Sequence, residues 1–155
     1  MTDRGERAYR NFLRGYNCAQ SVAMAFADLT PLDREAVRKA AHAFGGGFGR
    51  TRNMCGALAA CGMILGLVQP DGKDIQEDKT LLYERVQEIY TRFLQKFGTT
   101  NCAELLKEVE GVSAGGAPAE RTAEYYASRP CAQYVRQAAE MLEGYLTELG
   151  VIRAE

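Results

Sequence analysis

The sequence contains no hydrophobic run long enough to cross a membrane. Its most apolar stretch, residues 55–68, has about 14 residues, whereas a helix that spans a bilayer needs about 20. The first seven residues are rich in charge and no apolar stretch follows them, so no signal peptide is visible. These absences predict a protein without membrane insertion and with a cytoplasmic location.

An excess of charge of either sign is also absent. The chain has 19 Lys and Arg against 20 Asp and Glu, which gives a formal net charge of -1. Proteins that bind nucleic acid usually carry a strongly basic face, so no nucleic-acid partner is expected. Apolar residues make up 46% of the 155 residues, which is typical of a folded globular chain rather than a disordered one.

No segment shows the alternating pattern of a half-buried β-strand, and apolar residues instead recur at steps of three and four. We therefore predict an all-α fold, with residues 1–155 forming one compact bundle of about six or seven helices. The third helix is expected to begin with Thr30 as its cap and Pro31 in its first turn. The other predicted helices lie near residues 9–13 and at 18–29, 55–68, 74–97, 102–109 and 130–149.

The five cysteines include no Cys-x-x-Cys pair. In a reducing compartment such cysteines are metal ligands, redox thiols or small core residues, rather than members of a disulfide scaffold. His42 is the only histidine, so a Cys–His pair or a mixed Cys/His zinc site has one candidate. We expect His42 to be solvated or to cap a helix.

Four of the cysteines share one local layout, because each opens a predicted helix within two residues of a residue that favours a helix start. Asn is a strong N-cap and Pro is favoured in the first turn. The pattern predicts four sulfurs in the first turns of four helices, each on an apolar face. The four segments are Asn17-Cys18-Ala19, Asn53-Met54-Cys55, Asn101-Cys102-Ala103 and Pro130-Cys131-Ala132.

The first turn of a helix stabilises a thiolate through its unpaired N–H groups and the positive end of the macrodipole. Cys55 is the first choice for a nucleophilic or ligating thiolate because Arg50 and Arg52 precede it closely. Burial opposes this effect. Cys61 lies on another face of the same helix as Cys55 and is expected to be a core residue.

A glycine-rich run precedes Cys55, from Gly45 to Gly49. Gly46, Gly47 and Gly49 could cradle an anion with their N–H groups, or could simply permit positive φ and close backbone approach. No Gly-Lys-Ser/Thr follows, so the run is not a P-loop. A combined interpretation also fits, in which the loop brings bare backbone and Arg50 beside the sulfurs.

These segments together resemble a family of small proteins that is named for its cysteine pattern, C_GCAxxG_C_C, and described as redox-active. The resemblance covers about residues 9–146, and the chain has Ala60 where the family motif ends in Gly. It implies that the cysteines are the place of chemistry. The matching segments are 17–21, 44–50, 55–57, 101–102 and 130–131.

Three functions follow from the sequence. The preferred one is a thiol-dependent oxidoreductase that uses Cys18, Cys55, Cys102 and Cys131 with a small-molecule or protein redox partner. The alternative is a module in which the same four cysteines bind an iron–sulfur cluster or zinc. The third is a helical interaction protein with inert cysteines and no cofactor. A homo-oligomer is compatible with each.

Overall fold

The structure, a computed structural model, describes residues 3–153. Throughout this range the chain forms helices joined by turns and loops, and its β pairing is limited to one isolated antiparallel bridge between Met54 and Asn101. The all-α fold predicted from the sequence is confirmed.

Eight regular α-helices occur in the described part of the chain. This number exceeds the predicted six or seven helices. The helix Ala123–Ser128 has only six residues, which is too short to show a helical period in the sequence. The helices are α1 (Arg4–Leu13), α2 (Cys18–Met24), α3 (Arg34–Ala41), α4 (Gly56–Val68), α5 (Ile75–Phe97), α6 (Cys102–Leu105), α7 (Ala123–Ser128) and α8 (Cys131–Glu148).

Two of the predicted asparagine caps are confirmed. The side chain of Asn17 accepts a hydrogen bond from the backbone N–H of Gln20 at 2.9 Å, and Gln20 returns a bond that completes a capping box. The side chain of Asn101 accepts from the backbone N–H of Glu104 at 2.9 Å. These bonds satisfy N–H groups in the first turns of α2 and α6 and so fix where both helices begin.

The predicted start of the third helix is wrong by several residues. Asp33, not Thr30, is the cap of α3, because its carboxylate accepts from the backbone N–H of Ala36 at 2.8 Å. The Thr30 hydroxyl instead donates to the carbonyl of Ala27 at 2.9 Å and closes a preceding 3₁₀ turn, Ala27–Leu29. Pro31 therefore precedes the helix and does not lie in its first turn.

The core lies between α1, α2, α4 and α8, and α5 packs along one side of it. Helix α4 is apolar nearly all round and contributes Ile64 and Leu65, which are fully buried. Cys61 is also fully buried on α4, which confirms the prediction that it belongs to the core. None of the helices within residues 3–153 combines the length and the apolarity that a membrane crossing requires.

Helix α5 packs less completely than its sequence indicates. Ile89 and Phe93 are fully buried, but Leu81, Tyr90 and Leu94 from the same predicted stripe are 36% to 41% exposed. Only a narrow face of α5 meets α4 and α8, so the rest of the stripe remains at the surface.

Candidate active site

A cavity of about 480 Å³ lies where the beginnings of four helices meet. Cys18, Cys102 and Cys131 are the first residues of α2, α6 and α8, and Cys55 immediately precedes α4. All four cysteines line this cavity, and all are free thiols. The fold thus brings together four sulfurs that lie far apart along the chain.

Two of these cysteines are held at neighbouring positions by paired backbone segments. The N–H of Cys55 donates to the carbonyl of Thr100 at 2.8 Å, and the N–H of Cys102 donates to the carbonyl of Asn53 at 2.6 Å. The isolated bridge between Met54 and Asn101 lies between these bonds. This short pairing replaces the side-chain cap that was expected of Asn53, since no side chain caps α4.

The glycine-rich run forms a left-handed turn in the cavity wall. Gly46, Gly47 and Gly49 have φ values of 69°, 68° and 60°, and Phe48 and Arg50 also have positive φ. A Cβ atom on Gly47 would lie 2.6 Å from the Cβ of Cys102, so glycine is required there for close approach as well as for its φ. Left-handed backbone at a non-glycine residue costs about 1–2 kcal/mol and is often found at functional sites.

Four arginines also line the cavity: Arg50, Arg52, Arg121 and Arg129. Arg52 is only 8% exposed, and its Nη1 donates to the Sγ of Cys102 at 3.6 Å. Its Nε donates to the carbonyl of Ser113, so the guanidinium joins the 111–118 loop to α6. Arg50 and Arg52 are the two arginines that the sequence places near Cys55, whereas Arg121 and Arg129 were not predicted as site residues.

Arg121 is fixed over the end of α1. Its Nη1 and Nη2 donate to the carbonyls of Phe12 and Tyr16, both at 2.9 Å, and its guanidinium lies 4.2 Å from the centre of the Phe12 ring. These bonds satisfy one carbonyl in the last turn of α1 and one shortly after it, and they hold the segment before α7 against the cavity. No pattern around residue 121 indicates this contact in advance.

Arg129 is the arginine whose role could have been found from sequence. It stands two residues before Cys131, much as Arg52 stands shortly before Cys55. Its guanidinium stacks over the ring of Tyr125, with 4.5 Å to the ring centre. An arginine two or three residues before a cysteine occurs at both Cys55 and Cys131, and this repetition could have identified Arg129 as a site residue.

Cys18 and Cys131 line the same cavity and have unlike acidities. Hydrogen bonding from the Cys18 thiol lowers the pKa of Cys131; burial raises that pKa, and the charges of Arg129, Arg52 and Arg121 lower it further. The pKa of Cys18 is raised well above its ordinary value by the interaction with Cys131, by burial and by the neighbouring cysteine sulfurs. Cys131 is therefore the more acidic thiol of the two, and Cys18 keeps its proton to higher pH.

The preference for Cys55 as the thiolate is reversed in the structure. Burial raises the pKa of Cys55 to about 12, although hydrogen bonds from the N–H groups of Ala57 and Leu58 oppose this effect. Arg52, which was expected to favour a Cys55 thiolate, donates instead to Cys102. Burial also raises the pKa of Cys61 well above its ordinary value, in keeping with a core position.

The model of the family described as "Putative redox-active protein (C_GCAxxG_C_C)" matches residues 16–145. The chain belongs to the C_GCAxxG_C_C family. The matched range contains all four cavity cysteines, and the resemblance inferred from sequence is confirmed. Comparisons with curated proteins and with solved structures give no match.

The cavity of this C_GCAxxG_C_C protein does not have the arrangement of a metal cage. Among residues 3–153, no group of three or more His, Cys, Asp or Glu side chains lies close enough together to hold a metal ion. His42 borders the cavity but is exposed, and its backbone carbonyl accepts a bond from the Asn17 side chain.

Proposed function

We propose that this C_GCAxxG_C_C protein is a thiol-dependent oxidoreductase that reduces a small oxidised sulfur compound in the cavity. The observation that carries the proposal is that Cys18 and Cys131 line the same cavity, where the pKa of Cys131 is lowered and the pKa of Cys18 is raised. A thiolate is the nucleophile of thiol–disulfide exchange, and a second thiol nearby completes the two-electron reduction.

The first step forms a mixed disulfide. The Cys131 thiolate attacks one sulfur of a substrate disulfide, so a bond forms between Cys131 and that sulfur while the substrate S–S bond breaks. The leaving substrate sulfur departs as a thiolate and takes the proton that Cys18 holds. The interaction with the Cys131 sulfur that raises the pKa of Cys18 is lost when Cys131 enters the mixed disulfide, so Cys18 can release its proton at this step.

The second step forms a disulfide within the protein. Cys18, now a thiolate, attacks the Cys131 sulfur and releases the second half of the substrate, which takes a proton from solvent. Two electrons have then passed from the cysteine pair to the substrate. An external thiol reductant restores the pair by exchange, and Cys18 is the better target because it is more exposed than Cys131.

Burial favours a small substrate over a protein surface as the partner of Cys131. Cys131 is 8% exposed and is reached through the cavity, whose volume suits a small molecule. Arg52 is a positioning residue in this proposal, since it joins Cys102 to the loop at residue 113 and adds positive charge near Cys131.

The experiment is anaerobic oxidation of the reduced protein with hydroxyethyl disulfide, a small uncharged disulfide. We expect two thiols per chain to be lost and peptide mapping to find a Cys18–Cys131 disulfide. Cys18→Ser should stop at a mixed disulfide on Cys131, and Cys61→Ala, a variant outside the cavity, should behave as the parent protein does.

Two results would contradict the proposal. One is oxidation that leaves Cys18 and Cys131 as free thiols. The other is a visible absorption band with stoichiometric iron, or one zinc per chain, in protein purified without oxygen. That second result would support the Cys18, Cys55, Cys102 and Cys131 metal site instead.

A further inference from the structure

The cavity that holds the reactive pair is lined by cations and not by acids. Arg50, Arg52, Arg121 and Arg129 contribute four guanidinium groups, and no Asp or Glu of residues 3–153 lines the cavity with them. None of the four forms an ion pair with a carboxylate of that same described range. Elsewhere on the surface, arginines such as Arg92 are paired with glutamates.

Two of these guanidinium groups, those of Arg52 and Arg121, already donate hydrogen bonds to other groups of the protein. Arg121 uses both of its terminal nitrogens on backbone carbonyls of residues 12 and 16. Arg52 uses Nε on the carbonyl of Ser113 and Nη1 on the sulfur of Cys102. These two arginines hold the cavity wall together and add positive charge, but they have few free donors.

The other two retain free donors at the cavity. Arg50 donates from Nε to the carbonyl of Gly115 at 3.0 Å, and within residues 3–153 its two terminal nitrogens have no acceptor. The Arg129 guanidinium donates no hydrogen bond to residues 3–153 and stacks over the ring of Tyr125. Repulsion by Arg52 and Arg129 adds to burial in lowering the pKa of Arg50, so the cluster is held together without a compensating anion.

We infer that Arg50 and Arg129 bind the anionic group of the substrate, a carboxylate or a phosphate, while its reducible sulfur faces Cys131. A guanidinium offers planar, paired donors that match the oxygens of both anions. The inference rests on the proposed function for the sulfur chemistry, but the anion site stands on the arginines alone. The substrate class is thus a small, negatively charged sulfur compound.

The first arm of the experiment compares two alkylating agents of nearly equal size, anionic iodoacetate and uncharged iodoacetamide, on Cys131. The readout is the ratio of their rates, because a change in the thiolate fraction alters both rates equally. Arg50→Gln and Arg129→Gln should each lower the iodoacetate-to-iodoacetamide ratio by about tenfold. Arg153→Gln removes the same charge from an exposed residue outside the cavity and should leave the ratio unchanged.

The second arm does not use the reactive sulfur. Inorganic phosphate is titrated calorimetrically into the Cys131→Ser protein, and circular dichroism checks that each variant is folded. We expect saturable binding of one phosphate, weakened at least about tenfold by Arg50→Gln with Arg129→Gln. Arg153→Gln should bind phosphate as the Cys131→Ser parent does.

The two arms separate the two proposals. Phosphate binding without a reactive Cys131 would contradict the proposed redox function and support the anion site. A reactive Cys131 whose alkylation ratio is the same in all the arginine variants, together with absent phosphate binding, would overturn the anion site and keep the redox function.

Discussion

Cys18 and Cys131 are the first residues of two different helices, and both line the same cavity. Helix starts favour a thiolate at both positions. Their interaction lowers the pKa of Cys131 and raises the pKa of Cys18, and the charges of Arg129, Arg52 and Arg121 lower the pKa of Cys131 further. The two thiols therefore differ in acidity, and Cys131 is the more acidic one.

Cys131→Ser should remove the thiol that iodoacetamide alkylates fastest at pH 7, whereas Cys55→Ser should leave it. With a pKa of about 12, only about one Cys55 in 100,000 carries a thiolate at pH 7. Mass spectrometry of cysteine peptides at successive times measures each rate. Alkylation of Cys55 before Cys131 in the parent protein would contradict the assignment.

The pH dependence of Cys131 alkylation should have its midpoint below the ordinary thiol value of about 8.5. The thiolate is the reactive form of a cysteine. Because the pKa of Cys131 is lowered, its alkylation rate should rise at a lower pH than that of an ordinary thiol. Arg129→Gln removes one of the charges that lower this pKa and should move the midpoint to higher pH. Rates of iodoacetamide alkylation between pH 5 and 10 measure it.

Arg153→Gln is the control for that titration, because it removes an arginine that does not line the cavity. Its midpoint should coincide with that of the parent protein. An Arg129→Gln midpoint that also coincides would show that the hydrogen bond from Cys18 alone sets the acidity of Cys131.

Gly47→Ala should destabilise the protein by about 3 kcal/mol. The new Cβ would be strained by the φ of 68° and would lie 2.6 Å from the Cβ of Cys102 and 2.8 Å from the Cα of Arg52. Gly98→Ala is the matched control, since its φ is 81° but nothing lies within 4 Å, and it should cost only about 1 kcal/mol. Urea unfolding followed by circular dichroism measures both, and equal losses would argue against the close approach.

Local features of the fold were open to prediction because they depend on neighbours in sequence. Asn17 and Asn101 cap the helices that begin at Cys18 and Cys102 through bonds that span three residues. The wrong prediction of Thr30 as a helix cap is also a local error, because Asp33 lies three residues later and caps the helix instead. The exposed part of α5 was not predictable, because an apolar stripe does not reveal how much of it a partner will cover.

The sequence by itself determined that helices form and that four cysteines stand at or beside their first residues, because caps and periodicity act over one or two turns. Only the tertiary structure decided which sulfur is the more acidic. Acidity depends on burial and on charges that act through space, and Arg52 reaches Cys131 from a distant part of the chain. For the same reason burial raises the pKa of Cys55, the best candidate by sequence, to about 12.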